Sequence, residues 1–123
     1  MIQARNIDFA TMTLPSIMIE QKDVGYGYTG NLSRVGNLVT FESWGAPSSA
    51  IVSGNLLDNM IPEGFRPVYN TRGARVVSDN QNTQWMTIQF LSTGQTRFYG
   101  NVQKNQAVMN FTTWMTNDPW PTN

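Results

Sequence analysis

The stretch that decides the fold is Gln84-Trp85-Met86-Thr87-Ile88-Gln89-Phe90-Leu91-Ser92-Thr93-Gly94-Gln95-Thr96-Arg97-Phe98-Tyr99-Gly100. Apolar and polar side chains alternate with period two on both sides of Ser92-Thr93-Gly94, which is the pattern of two half-buried strands joined by a tight turn. A three-residue loop with Gly94 in the left-handed conformation closes a common hairpin type. That register sets Leu91 against Gln95, Gln89 against Arg97, Ile88 against Phe98 and Thr87 against Tyr99. Met86, Ile88, Phe90 and Phe98 then share one face, and Trp85, Thr87, Gln89, Arg97 and Tyr99 share the other. A two-residue loop would slip the register by one and place Gln89 opposite Phe98, mixing the faces, so it is rejected. The apolar face is the predicted core. The other face puts aromatic planes, an amide, a hydroxyl and a guanidinium side by side. Aromatic rings stack on the C–H face of a sugar, while amides and guanidinium bridge adjacent hydroxyls. An ordinary solvated sheet face would carry the same residue types.

Outward from this hairpin the same pattern recurs at intervals of about ten residues, the spacing of an all-β domain. Strands are predicted over Ile17–Glu20, Leu38–Trp44, Ala50–Gly54, Arg75–Ser78, Gln84–Leu91, Gln95–Gly100 and Val108–Thr116. Turn chemistry separates them at Gly36-Asn37, Gly45-Ala46-Pro47, Pro62-Glu63-Gly64 and Asp79-Asn80-Gln81-Asn82. Only Leu56–Met60 has the spacing of a short helical turn. The reading is a small antiparallel β-barrel or sandwich over residues 15–123, preceded by a leader over residues 1–14 that ends in Leu14-Pro15. The ending Asp118-Pro119-Trp120-Pro121 is too proline-rich for a central strand.

Composition excludes a good deal of chemistry. The 123 residues contain no histidine and no cysteine. A histidine-based triad, a thiolate nucleophile, a Cys/His zinc site, a histidine-ligated haem and a disulfide are therefore ruled out. Eight basic and eight acidic residues give a formal net charge of +0, so no global field draws nucleic acid or an anionic membrane. Asn, Gln, Ser and Thr make up roughly a third of the chain, in place of charged residues. With 11% aromatics, this surface suits neutral polyhydroxylated ligands. No signal-peptide pattern and no apolar run of ~20 residues is found. No cofactor or metal is expected.

Several residues outside the hairpin invite a reading. Trp44 falls on the face opposite Val39 and Phe41, as a barrel-rim residue or a subunit contact. Trp114 is out of phase with Met109, Phe111 and Met115, which predicts that it points away from the core, toward a ligand or a neighbouring subunit. Asp58, Glu63 and Asp79 are the carboxylates from which a glycosidase pair would have to come, but all three fall in loops without a supporting motif. Arg66, Arg72 and Arg75 form a sparse basic stretch, suited to interface salt bridges more than to a nucleic-acid groove.

The order of landmarks resembles the C-terminal head domains of receptor-binding proteins from the baseplates of siphophages that infect lactococci and related Gram-positive bacteria. The landmarks are Met60-Ile61-Pro62-Glu63-Gly64-Phe65-Arg66-Pro67, then Gly73-Ala74-Arg75-Val76-Val77, then Trp85-Met86-Thr87-Ile88-Gln89-Phe90 with its glycine turn and Arg97-Phe98-Tyr99-Gly100, and finally Phe111-Thr112-Thr113-Trp114-Met115. The likeness spans roughly residues 30–118. The leader Ile7-Asp8-Phe9 and the ending Thr116–Pro121 also look like segments of phage tail proteins.

The resemblance implies a homotrimer of small β-barrel heads at the tail tip of the virion, made in the host cytoplasm. Such a head binds a host cell-wall saccharide without cleaving it, and meets other baseplate proteins through its N-terminal side. In the family the hairpin reads aromatic-His-Ile-Asp-Ile, turn, aromatic pair, Gly. Here Thr87 stands at the His position, Gln89 at the Asp position and Tyr99 at the second aromatic. The family's arginine before the last strand has no counterpart, and Arg97 is the substitute. The implied ligand site is thus Trp85, Thr87, Gln89, Arg97 and Tyr99, with no nucleic acid or membrane as partner. In a bacterial virus the sequons at Asn31 and Asn110 carry no meaning. Two other functions fit the same residues less well: a structural or accessory tail trimerisation domain with no host ligand, and a polysaccharide depolymerase.

Overall fold

A computed structural model describes residues 16–80 and 82–121. The leader predicted over residues 1–14 lies outside them. Two antiparallel sheets face each other across one core. The first is four-stranded, in the order β1 (Ser16–Asp23), β2 (Thr29–Val35), β3 (Leu38–Gly45), β9 (Val108–Met115). The second runs β4 (Leu56–Leu57), β8 (Thr96–Gly100), β7 (Trp85–Phe90), β5 (Thr71–Arg72), with β6 (Val76–Val77) also pairing β7. No helix occurs among the described residues. The all-β expectation therefore holds, in the form of two packed sheets.

The hairpin has the register its residues predict. Gln89 pairs Arg97, Ile88 pairs Phe98 and Thr87 pairs Tyr99, and Leu91 N–H donates to the Gln95 carbonyl at 2.9 Å. Gly94 sits at φ 88°, and its carbonyl accepts from the Met60 and Ile61 amides at 3.0 and 2.8 Å. Met86, Ile88, Phe90 and Phe98 are wholly buried. Opposite them the first sheet supplies Leu32, Val39, Phe41, Val108 and Trp114. An aromatic chain crosses the core: Phe41 to Phe90 at 5.5 Å, Phe90 to Trp114 at 4.5 Å, and Phe98 to Tyr28 and Tyr26 at 6.3 and 5.2 Å in edge-to-face geometry. Contacts of this kind add about 0.5–1.5 kcal/mol each to the area they bury.

Four expectations fail. Strand β2 is not among the expected strands, because its inward positions are Gly30, Leu32 and Arg34 and only Leu32 has an apolar side chain. Residues 50–54 form no strand; the Gly54 amide donates to Phe98 O at 2.8 Å from a turn. The segment expected to make a helical turn, Leu56–Met60, opens with the two-residue strand β4 along β8. Most consequentially, β9 is inverted. Trp114 is 5% exposed and donates Nε1–H to the Phe65 carbonyl at 2.7 Å, whereas Met109, Phe111 and Met115 face outward. The inward positions Asn110 and Thr112 hydrogen-bond each other at 2.9 Å, so polar groups enter the interior already partnered.

Arg34 is the other organising residue. It is 3% exposed and its guanidinium is satisfied by carbonyl and amide oxygens: Gly36 O and Gly64 O at 2.7 Å, Asp118 O at 3.1 Å, Pro119 O at 3.2 Å and Asn37 Oδ1 at 3.3 Å. Trp120 lies beside it, 4.9 Å from Cζ to ring centroid. Asp118 completes the clasp by accepting from the Gly64 and Arg66 amides. One side chain thus ties β2, the 62–66 loop and the chain after β9. A lysine has no planar fork and cannot reproduce these bonds. Arg34→Lys is expected to lower stability by about 2 kcal/mol, read by chemical denaturation.

Burial pushes the Tyr28 phenol from 10.0 up to about 12, while its hydroxyl donates to Val108 O at 2.9 Å. The folded state holds this proton longer than the unfolded chain does. The associated stability is full below pH 10.0 and is lost as pH rises toward about 12. Stability should fall by about 2–3 kcal/mol across that window, and the slope should flatten in Tyr28→Phe.

Candidate functional site

The five residues singled out in the hairpin lie together on the outer face of the five-stranded sheet, as the alternation requires. Trp85, Thr87 and Gln89 project from β7, and Arg97 and Tyr99 from β8. Thr87 alone departs from a solvent-facing position. Thr87 is 6% exposed and donates its hydroxyl to Gly73 O at 2.6 Å, so it positions the 73–75 segment and does not face solvent. Trp85 and Tyr99 are half-buried, and each has a guanidinium over its ring. Arg75 lies 4.2 Å from the Trp85 centroid and Arg72 lies 4.5 Å from that of Tyr99.

Those two arginines are the part of the site that sequence reading missed. Arg72 pairs Gln89 on the neighbouring strand, and it must cross β7 to reach Tyr99 on β8. Gly73 makes the route feasible. Its amide donates to Ile88 O at 3.0 Å, and a Cβ at this position would meet Thr112 Oγ1 of the other sheet at 2.5 Å. Only glycine lets the chain pass so close, and the passage leaves Arg72 and Arg75 on the same outer face. In the sequence the available signal is two arginines three residues apart around that glycine.

The result is three guanidiniums on one face of a chain with no net charge. Arg97 Nη1 donates to the Tyr99 hydroxyl at 3.4 Å. This hydrogen bond is the main reason the Tyr99 phenol is lowered from its ordinary value; the charges of Arg97 and Arg72 act in the same direction. At the centre of the face, the facing pair Gln89 and Arg97 leaves two buried atoms without partners among the described residues: Gln89 Oε1, an acceptor, and Arg97 Nε, a donor. An unsatisfied buried group costs about 1–3 kcal/mol, and both atoms lie beneath the accessible surface of the face. Chemically the face can bind oxygen-rich and negatively charged groups.

The loop carboxylates are dispersed over separate elements. Asp58 accepts from Gln95 Nε2 at 2.6 Å beside the hairpin loop. Asp79 accepts from Trp44 Nε1 at 3.1 Å, holding the exposed indole in place. Glu63 borders a small recess of about 270 Å³ with Trp120. Arg66 Nε donates to Ile61 O at 3.0 Å. Among the described residues no cluster of three or more metal-ligating side chains occurs. A larger groove, of about 820 Å³, lies on the first sheet beside Trp44, Glu42 and Phe111. Comparison with known proteins finds no matching family model and no matching curated relative.

In an ultraviolet difference titration, Arg97→Ala should move the Tyr99 transition to higher pH, with Tyr99→Phe identifying which transition is lost. An unmoved transition would mean that Arg97 does not hold this phenol.

Proposed function

We propose that this chain is the head of a phage tail-tip receptor-binding protein, homotrimeric, which attaches the virion to a host cell-surface saccharide without cleaving it. The observation that carries the reading is the gathering of Arg72, Arg75 and Arg97 around the rings of Trp85 and Tyr99 on one outer face. A saccharide's hydroxyl oxygens accept from guanidinium N–H groups, and the Tyr99 hydroxyl can both donate and accept. The three guanidiniums favour a saccharide that also carries acidic groups, since a guanidinium fork takes carboxylate or phosphate in bidentate fashion. The order of landmarks shared with siphophage head domains supports the same reading. No cofactor takes part, and the N-terminal side meets the rest of the tail. Weak affinity per site is multiplied by three copies in a trimer and by many heads on a virion. The second reading, a tail trimerisation domain without host ligand, draws on the apolar outer face of the four-stranded sheet.

Binding of host wall polysaccharide, measured by calorimetry, separates the two. Arg97→Ala and Tyr99→Ala should each weaken it by roughly 10-fold or more, with an unchanged circular dichroism spectrum. Affinity should also drop as salt rises from about 0.05 to about 0.5 M, as expected for a charged ligand. Undiminished binding by both folded variants would remove the site from this face.

A further inference from the structure

We infer that the outer face of the four-stranded sheet is where copies of this chain pack against one another. This deepens the trimeric part of the reading above by assigning its contact surface.

Seven of the eleven exposed large apolar side chains among the described residues lie on this one face. The pairing of β2, β3 and β9 arranges them in rows. At one end stand Val35, Leu38 and Met115, with Ser16 of β1 beside Val35. Next comes a row of hydroxyls, Ser33, Thr40 and Thr113, with Met18 of β1 beside Ser33. Then follow Asn31, Glu42 and Phe111, and finally Trp44 and Met109. Trp44 is 75% exposed and Phe111 63%. A lone outward leucine is ordinary, but apolar residues gathered on one face at this density mark a contact surface.

The occupant follows from what the face lacks. Across β2, β3 and β9 it carries a single charged side chain, Glu42, to which β1 adds the exposed Asp23 opposite Thr29. A basic or acidic partner finds almost nothing to pair with, and the charge of the chain is concentrated elsewhere. A second copy brings the same face: apolar ends, and a central row of hydroxyls that both donate and accept and so can pair with their own kind. Size agrees as well. Four strands about 4.8 Å apart and eight residues long at about 3.3 Å each cover about 500 Å², so three such faces around a three-fold axis bury about 1,500 Å² in all.

The test is the light-scattering mass of the full chain with a charge placed in the face. Phe111→Glu and Met115→Glu are expected to give the 13.8 kDa monomer with unchanged circular dichroism, while Val52→Glu, on an exposed turn elsewhere, leaves the assembly intact. Because the chain has no cysteine, a single Thr113→Cys reports independently. Labelling of the introduced thiol by a maleimide should slow at least ~10-fold at assembling concentration relative to dilute protein, whereas the thiol of Lys104→Cys, in a loop, should react at one rate at both. An assembly that survives both charge variants, with the Thr113→Cys thiol labelled at one rate throughout, overturns the face and leaves the trimer standing. A wild-type chain that stays monomeric at high concentration overturns both, and saccharide binding, measured separately, decides the receptor reading.

Discussion

The two sheets are held in register by the aromatic chain that runs Tyr26–Phe98–Tyr28–Phe41–Phe90–Trp114 between them. With no disulfide in the chain and no helix among the described residues, little else spans the core at that scale. Each such ring buries about 150–250 Å², and the shallow angle between Phe90 and Trp114 locks β9 to β7. Everything on the outer surfaces depends on this arrangement. Once Phe90, Ile88 and Phe98 must face inward, the pleat sends Gln89, Arg97 and Tyr99 outward with no freedom left.

That constraint produces two outer faces of opposite character on a neutral molecule. One sheet exposes guanidiniums laid over aromatic rings. The other exposes methionine, tryptophan and phenylalanine around a belt of hydroxyls. A formal charge of +0 hides this division, because the overall sum says nothing about where the charges sit.

Where local pattern and tertiary demand coincide, the chain is legible. The hairpin is the best case: period-two alternation on both arms and a glycine at the one left-handed position leave a single register. Trp114 is the opposite case. Met109, Phe111 and Met115 look like a core face by hydrophobicity, yet the indole at Trp114 buries more area and finds an acceptor at Phe65 O. Asn110 and Thr112 follow it inward because they satisfy one another. Similarly, β2 is invisible to a pattern of apolar residues, because the interior position it devotes to Arg34 is filled by a charge solvated by carbonyls.

By itself, then, the sequence determined the all-β class, the hairpin register and the five residues that share its outer face, since these follow from alternation and turn chemistry within seventeen consecutive residues. Tertiary structure alone decided which face of β9 is buried and that Arg72 and Arg75 join the hairpin site. It also decided that Thr87 leaves that site for a structural hydrogen bond. The physical reason is the same in each case. These outcomes depend on contacts between segments far apart in the chain, through a glycine passage at Gly73 and an aromatic core, where packing and hydrogen-bond satisfaction outweigh the local hydrophobic pattern.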